Sequence, residues 1–352
     1  MSGSSPTPPA GNYDNLGIDL GPGTRIGGFR VESRLGAGAM GAVYRADEEA
    51  LGRSVALKVL PPQMAWDEAF RERFIRESRT ASAVDHPNII PIYAAGQESG
   101  VLYLAMRYVP GGDLHGMIQR TGPMSAEQAM TVLAPVASAL DAAHAAGIVH
   151  RDVKPANILI DRVADGSLHP YLSDFGLATA AQLPGLTAAG LFLGTAAYAA
   201  PEQLSGHQVG PAADQYSLAC VIHQVLTGEM PFRGDSAPAQ MVARMDGVPS
   251  IRQVRTDLSP RIDDVMAVGL SWDPADRYAS CRELVAALGE VLGGTAREIS
   301  EIHLGVEVRV GDRSYRGGGP LHPSGGRLRS FTPGPRSTTP PTRQPITWRR
   351  RL

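Results

Sequence analysis

The stretch IVHRDVKPANILI, from Ile148 to Ile160, decides the fold. It lies between an Ala-rich segment with helical character and a short β-leaning segment. Asp152 precedes Lys154 by two residues and Asn157 by five. A carboxylate, an ammonium and an amide therefore lie close together in one tight loop.

Two further motifs flank this loop along the chain. Downstream, LSDFGLA supplies a second carboxylate, Asp174, and upstream, VALKVL carries Lys58 among apolar residues on a predicted strand. Further upstream, RLGAGAMGAVYRA contains Gly36, Gly38 and Gly41 in the spelling G-x-G-x-x-G. That spelling also fits dinucleotide-dependent oxidoreductases, in which a helix must follow the glycines. Here a β-leaning segment follows, so we predict a hairpin tip that closes over phosphates.

Composition excludes several other classes of protein. The chain has 352 residues, 43% of them hydrophobic and 19% charged, with a formal net charge of −2. This balance gives no general attraction to nucleic acid or to an acidic membrane. Since no signal peptide and no apolar run of about 20 residues is found, we predict no membrane span and a cytoplasmic protein. The two cysteines, Cys220 and Cys281, are predicted to be buried thiols.

The chain divides into four parts. Residues 1–25 are rich in Ser, Pro and Gly and are predicted to be a disordered leader. A small lobe follows at 26–109, in the order β-β-β-α-β-β, and a mostly helical lobe at 110–293. Residues 294–352 are Gly-, Pro- and Arg-rich and are predicted to be a disordered tail, although the terminal WRRR leaves open a contact with an acidic partner.

In identity, order and spacing, these motifs resemble those of the eukaryotic-like (Hanks-type) serine/threonine protein kinases, especially the bacterial branch. The resemblance covers about residues 26–292. It implies an α+β, bilobal protein-kinase fold, with a small antiparallel β-sheet lobe containing one main helix and a larger, mostly helical lobe. It also implies transfer of the γ-phosphoryl group of ATP to Ser and Thr hydroxyls of protein substrates by a non-specific serine/threonine protein kinase.

The catalytic roles that the resemblance implies suit the chemistry of phosphoryl transfer, which needs charge neutralisation and in-line positioning. Asp152 would orient the substrate hydroxyl and accept its proton, and Lys154 would neutralise charge on the transferred group. Asp174 and Asn157 would supply oxygen ligands for Mg²⁺, with Mn²⁺ as a substitute. Thr195 resembles the threonine that bridges Asp152 and Lys154.

Lys58 would contact the α- and β-phosphates of ATP. A buried lysine needs an anionic partner, because an uncompensated buried charge is costly. The resemblance implies Glu77, on the helix of the small lobe, as that partner. Glu68 and Glu72 on the same segment are the competing carboxylates.

The resemblance further implies an adenine pocket between the lobes. Asp113 would reach a ribose hydroxyl or the substrate, and a helix N-cap is an equal alternative for it. The other implied pocket residues are a roof of Leu35, Val43 and Ala56, a floor of Leu159, a gatekeeper Met106, and the hinge residues Tyr108 and Val109.

Four polar residues are expected to have structural rather than catalytic roles. We expect His150 to support the backbone of the Asp174 motif, and Asp214 to brace the backbone of the catalytic loop. Glu202 should form a buried ion pair with Arg277.

Arg151, next to Asp152, is typical of kinases that are activated by phosphorylation of their activation loop. Thr179 and Thr187 are the candidate sites of autophosphorylation, and a homodimer would allow transfer in trans. The alternative function is a pseudokinase, acting as a scaffold or a nucleotide-sensing module. Pseudokinases usually lack the equivalents of Lys58, Asp152 or Asp174.

Overall fold

A six-stranded antiparallel sheet forms the first part of the fold, in the order β1-β2-β3-β4-β7-β6. The computed structural model describes residues 20–38, 41–163, 165–175, 197–234, 236–293, 308–310 and 313–315. The strands of this sheet are β1 (Arg25–Ile26), β2 (Phe29–Gly38), β3 (Gly41–Glu48), β4 (Arg53–Val59), β6 (Ile92–Glu98) and β7 (Val101–Arg107).

The burial of residues in β3 and β4 shows where the core lies against the sheet. In β3, Ala42, Tyr44 and Ala46 are buried and alternate with half-buried neighbours, as expected for a strand with one face on the core. β4 is buried from Val55 to Val59, and Lys58 lies within this buried run. The sheet therefore places the lysine inside the protein, on the strand that the sequence predicted.

One long helix packs on the sheet. Helix α2 (Glu68–Ser82) follows a single short turn of helix, α1 (Pro62–Trp66). The side chain of Asp67 caps α2 by accepting a hydrogen bond from the Phe70 backbone N–H at 3.1 Å. Phe70 and Phe74 are almost fully buried in one apolar cluster with residues of β7. The predicted β-β-β-α-β-β order is found in the main elements of this lobe, to which the structure adds the short strand at Arg25–Ile26, the short helix at Pro62–Trp66 and the short strand at Val84–Asp85.

The second lobe is mostly helical. Its long helices share one apolar core. The helix from Pro211 to Thr227 is buried at every residue from 213 to 227, as predicted for a central helix. The helices are α3 (Leu114–Thr121), α4 (Ala126–Ala145), α5 (Pro201–Leu204), α6 (Pro211–Thr227), α7 (Ala237–Met245), α8 (Arg261–Gly269) and α9 (Cys281–Leu292).

A two-stranded antiparallel ribbon, β8 (Ile158–Arg162) with β9 (Leu168–Leu172), lies between the lobes' main elements. The catalytic loop enters β8 through a 3₁₀ turn at Pro155–Asn157, and Asp174 lies two residues after the end of β9. The ribbon therefore brings the two carboxylate motifs together, although they are separated along the chain.

Three short strands form a further sheet. β10 (Val308–Val310) pairs with both β11 (Arg313–Tyr315) and β5 (Val84–Asp85). The prediction of a disordered tail over 294–352 did not include this hairpin, because three-residue strands are too short to show a period in sequence. The other residues of that range, and those of the predicted leader before 20, lie outside the described part.

Cys220 and Cys281 are both buried free thiols, as predicted. Among the described residues, no helix combines the length and the apolar character that a membrane crossing requires.

Candidate active site

The catalytic loop brings three predicted side chains into direct contact. Lys154 Nζ lies 3.0 and 2.8 Å from the two carboxylate oxygens of Asp152. Asn157 Nδ2 donates to the Asp152 backbone carbonyl at 2.8 Å and to its Oδ2 at 3.0 Å. An ionised carboxylate offers about four acceptor positions. Among the described residues these bonds occupy three of them, so Asp152 keeps acceptor capacity on Oδ1 for a substrate hydroxyl.

Asp214, at the start of α6, holds the backbone of this loop. It is fully buried, and it accepts the backbone N–H of His150 and that of Arg151, each at 2.7 Å. Its Oδ2 also accepts from His144 Nε2 at 2.7 Å. Arg151 has a φ of 66°, in the left-handed region that a residue with a side chain rarely adopts. The predicted bracing role of Asp214 is confirmed.

His150 connects the loop to the Asp174 motif. Its Nδ1 accepts the Asp152 N–H at 3.2 Å, while its Nε2 donates to the Ser173 carbonyl at 2.8 Å. These two bonds fix the imidazole as the neutral tautomer that carries its proton on Nε2. The ring also packs against Phe175 with centroids 4.7 Å apart. His150 is therefore a structural residue, as predicted.

The partner of Lys58 differs from the expected one. Lys58 Nζ lies 2.8 Å from Asp174 Oδ2, with 8% of the lysine side chain exposed. Within the described chain, Lys58 forms no ion pair with Glu77, so the expected Lys58–Glu77 pair is absent from this arrangement. The physical reason is that Asp174 supplies the negative charge that the buried ammonium requires.

Glu77 instead faces a cavity of about 200 Å³ between α2 and the catalytic loop, which Arg76, Arg151 and Phe175 also line. Its Oε2 is buried without a hydrogen-bond partner among the described residues. Burial raises the pKa of Glu77 above its usual value, although Arg151 and Arg76 act in the opposite direction. Glu77 is thus a half-buried carboxyl group whose Oε2 has unused acceptor capacity.

Asp174 has the features of a cation ligand. Its Oδ1 is buried and has no hydrogen-bond partner in the described chain, and its φ of 65° holds the backbone in the left-handed region. Burial acts to raise the pKa of Asp174, but the Lys58 ammonium beside it outweighs that effect and lowers the pKa overall. An ionised oxygen without a donor in the described chain fits a hard divalent cation such as Mg²⁺. The neighbouring Ser173 donates its backbone N–H to the Asn157 carbonyl at 2.9 Å.

The residues predicted to bind adenine lie in or near an apolar cluster between the sheet and the ribbon, which we call the adenine cluster. Ala56, Met106 and Val109 are buried in it, and Val43 and Leu159 pack against it. Strand register explains this grouping, since Ala56 lies opposite Met106 in the β4–β7 ladder. Leu35 lies outside the cluster on β2, with 46% of its surface exposed. Tyr108 is half-buried beside Val109, in the segment that joins β7 to α3.

The glycine loop forms a hairpin tip, as predicted. Gly38 and Gly41 are the last paired residues of β2 and β3, and Gly36 lies opposite Val43. Gly41 has a φ of 116°, and a Cβ there would lie 2.0 Å from the Val59 carbonyl oxygen. Only glycine fits at this position, because both the backbone conformation and the space exclude a side chain.

Asp113 caps α3. Its side chain accepts the Gly116 N–H at 2.7 Å, which confirms the N-cap alternative for this residue. The Asp113 backbone also forms an isolated bridge with Leu159. The start of α3 is thereby paired with Leu159, the predicted floor residue of the pocket.

Sequence reasoning missed several residues of the site. Tyr171 and Ile90 are buried in the adenine cluster, and Arg107 lies over the Tyr171 ring at 4.9 Å. A Cβ on Gly111 would lie 2.0 Å from the Ile160 carbonyl oxygen. The turn spelling Pro-Gly-Gly after the hinge was the only available signal for Gly111, and no local pattern marked Tyr171 or Ile90. Arg107 stood out in the sequence only as a basic residue at a hinge position that is customarily acidic in the family, and its contact with Tyr171 was not predicted.

The predicted buried ion pair between Arg277 and Glu202 is present. Arg277 donates to both carboxylate oxygens of Glu202, at 2.7 and 2.9 Å. None of the Arg277 side chain and 9% of that of Glu202 is exposed. Three carbonyl oxygens accept the remaining Arg277 donors, so both charges are fully compensated. Thr195, Thr179 and Thr187 lie outside the described residues.

Comparisons with known proteins agree with this geometry. The model of the protein kinase domain family matches residues 29–287. The serine/threonine-protein kinase PknJ of Mycobacterium tuberculosis is 41% identical over 283 residues, which are 80% of this chain and 48% of PknJ. PknH of the same organism is 41% identical over 271 residues, 77% of this chain and 43% of PknH. The chain thus spans about half the length of the curated relatives it matches.

A solved structure gives the same result for the fold. The crystal structure of the Mycobacterium tuberculosis PknI kinase domain matches with a TM-score of 0.62 and 34% sequence identity. The match covers 77% of this chain and 99% of that domain. The chain therefore belongs to the bacterial Hanks-type serine/threonine protein kinase family, and it has the bilobal kinase fold.

Proposed function

We propose that this chain transfers the γ-phosphoryl group of ATP to serine and threonine hydroxyls of protein substrates. The observation that carries the proposal is the contact of Asp152 with Lys154 and Asn157 in a loop whose backbone Asp214 fixes. In this role Asp152 orients the substrate hydroxyl through its remaining acceptor position and takes up its proton. Lys154 then neutralises negative charge on the transferred group.

The nucleotide would lie in the apolar cluster below the glycine loop. The backbone of Tyr108 and Val109 would bind the adenine edge, and Lys58 would bind the phosphates. Asp174 and Asn157 would hold Mg²⁺, or Mn²⁺ in its place, which supplies positive charge to the phosphate oxygens when bound. When Asp174 binds a cation, the phosphates would supply negative charge to Lys58, and Glu77 has an unused carboxylate oxygen that could also pair with it.

Further proposals concern regulation and location. We expect autophosphorylation at Thr179 or Thr187, in trans within a homodimer, and a bridge from Thr195 to Asp152 and Lys154. We also expect a cytoplasmic site of action on protein substrates rather than on nucleic acid. The named relatives are serine/threonine-protein kinases, which gives the pseudokinase alternative no support.

The test is transfer of label from γ-labelled ATP, with Mg²⁺, to a generic protein substrate such as casein, followed by analysis of the labelled amino acids. We expect label on serine and threonine, and none on tyrosine. Asp174→Asn should lose the transfer, because it removes a charged cation ligand. Absence of transfer by the native chain, with ATP binding intact, would overturn the proposal in favour of a nucleotide-binding module.

A further inference from the structure

Behind the catalytic loop, three potential metal ligands meet outside the nucleotide site. Asp141 and His144 lie on α4, and Cys281 is the first residue of α9. One ligand atom from each lies within 4.8 Å of the other two, and His144 Nδ1 is 3.9 Å from Asp141 Oδ1. We infer that this cluster is a binding site for a zinc-like divalent cation, held by carboxylate, imidazole and thiolate.

His144 already has the orientation of a metal-binding histidine. Its Nε2 hydrogen-bonds to the Asp214 carboxylate at 2.7 Å, so the ring proton lies on Nε2. The lone pair of Nδ1 consequently points toward the cluster. A histidine ligand in zinc proteins characteristically donates its other ring N–H to a carboxylate, which fixes the ring and strengthens the ligand nitrogen. Asp214 provides that second contact here.

Beside the cluster is a cavity of about 290 Å³, which all three ligands line together with Gln215. Gln215 is 2% exposed, and its Oε1 is buried without a hydrogen-bond partner in the described chain. Its Nε2 donates to the Tyr278 and Ser280 carbonyls, so the amide orientation is fixed. The cavity therefore offers space for an ion and an oxygen that can act as a fourth donor, directly or through water.

Asp141 retains capacity for a cation despite its other contacts. Its Oδ1 accepts the Cys281 N–H at 2.9 Å, and its Oδ2 accepts the N–H and Nε of Arg282. Each carboxylate oxygen has two lone pairs, so Oδ1 can still bind a metal. In a tetrahedral zinc site, ligand atoms are separated by about 3.3–3.8 Å, as follows from bond lengths of about 2.0–2.3 Å. Side-chain shifts of about 1 Å would therefore complete the site.

The ligands of this cluster favour zinc over Mg²⁺, the cation that we propose for the nucleotide site. Thiolate and imidazole ligands favour zinc, whereas Mg²⁺ prefers oxygen ligands. On binding, the Cys281 S–H bond breaks, a zinc–sulfur bond forms, and the proton passes to the buffer. The bound ion would join α4 to α9 and, through His144, fix Asp214, whose other contacts hold the backbone of the catalytic loop.

The experiment loads the full chain with Co²⁺, a spectroscopic substitute for zinc, after treatment with a chelator. We expect a thiolate-to-cobalt charge-transfer band that zinc abolishes at equimolar concentration and millimolar Mg²⁺ does not. Cys281→Ala should remove the band, and Asp141→Asn should weaken cobalt binding by more than about tenfold. Cys220→Ala is the matched control, because it removes the only other cysteine of the chain and should retain the band.

Zinc content, measured by mass spectrometry of the metal after desalting, provides a second readout that needs no variant. About one zinc ion per native chain is expected. A native chain that binds neither metal overturns the proposal, and so does a cobalt–thiolate band that persists in Cys281→Ala. Neither measurement depends on kinase activity, so failure here is distinct from failure of the proposed phosphoryl transfer.

Discussion

Replacing Asp214 by asparagine tests how the buried carboxylate positions the catalytic loop. Oδ1 accepts the Arg151 N–H, and Oδ2 accepts from His150 N and His144 Nε2, all at 2.7 Å. An asparagine whose oxygen replaces Oδ2 keeps two of these bonds. Its amide nitrogen then faces the N–H of Arg151 and cannot accept from it.

The magnitude follows from these contacts. A hydrogen bond to a charged group contributes about 1.5–3 kcal/mol, and a neutral one about 1 kcal/mol less. Losing one bond and neutralising two should therefore lower the free energy of unfolding by about 3–5 kcal/mol. The released Arg151 can also leave its left-handed conformation (φ 66°), which displaces Asp152. A displacement of about 1 Å can cost about 100-fold in rate, so we expect kcat to fall about 10- to 100-fold.

The assays are urea unfolding followed by circular dichroism, and steady-state phosphorylation of a protein substrate at saturating ATP. Asp263→Asn is the matched control, because Asp263 also accepts two backbone N–H groups, those of Ile251 and Arg252, in the same lobe. Both variants should lose stability, but only Asp214→Asn should lose kcat. If the two variants had the same kcat, the positioning role of Asp214 would be refuted.

Three other substitutions test separate parts of the structure. Gly41→Ala would place a Cβ 2.0 Å from a backbone oxygen of β4, so the Kd for ATP should rise at least about fivefold. Gly38→Ala is the control, because a Cβ at that position meets open space. Equal Kd values for the two variants, measured by titration calorimetry, would contradict this prediction. Glu202→Ala leaves Arg277 buried without its partner and should cost about 3–5 kcal/mol in urea unfolding; a loss below about 1 kcal/mol would be inconsistent. Burial lowers the pKa of His223 below the usual 6.5, so the unfolded chain binds more protons and stability falls as the pH drops below 6.5. His223→Gln should flatten that part of the pH–stability curve, and an unchanged slope would count against burial as the cause.

The sequence best predicted the features of the site that depend on a few neighbouring residues. The Asp152, Lys154 and Asn157 spacing predicted a shared loop, and the structure brings these side chains within hydrogen-bonding distance. The apolar neighbours of Lys58 on a predicted strand likewise indicated its buried position. Both features are local, because each depends on a few consecutive residues and a regular backbone.

Features that depend on packing between distant segments were not predictable. Whether Lys58 pairs with Glu77 or with Asp174 depends on how α2 lies against the sheet, and each carboxylate alone satisfies the lysine. The Tyr171 contribution to the adenine cluster arises from the β8–β9 register. His144 was not recognised either, since it contacts Asp214, a residue on another helix that lies 70 positions further along the chain.

The most direct test of the central claim is the turnover of Asp152→Asn compared with that of the native chain. This substitution keeps the shape of the side chain and removes the carboxylate that we propose accepts the hydroxyl proton. We predict a fall in kcat of about 10²–10⁴-fold, with the Kd for ATP unchanged within about twofold, because Asp152 does not belong to the adenine cluster. Equal turnover by the variant and the native chain would contradict the assignment of Asp152 as the catalytic base.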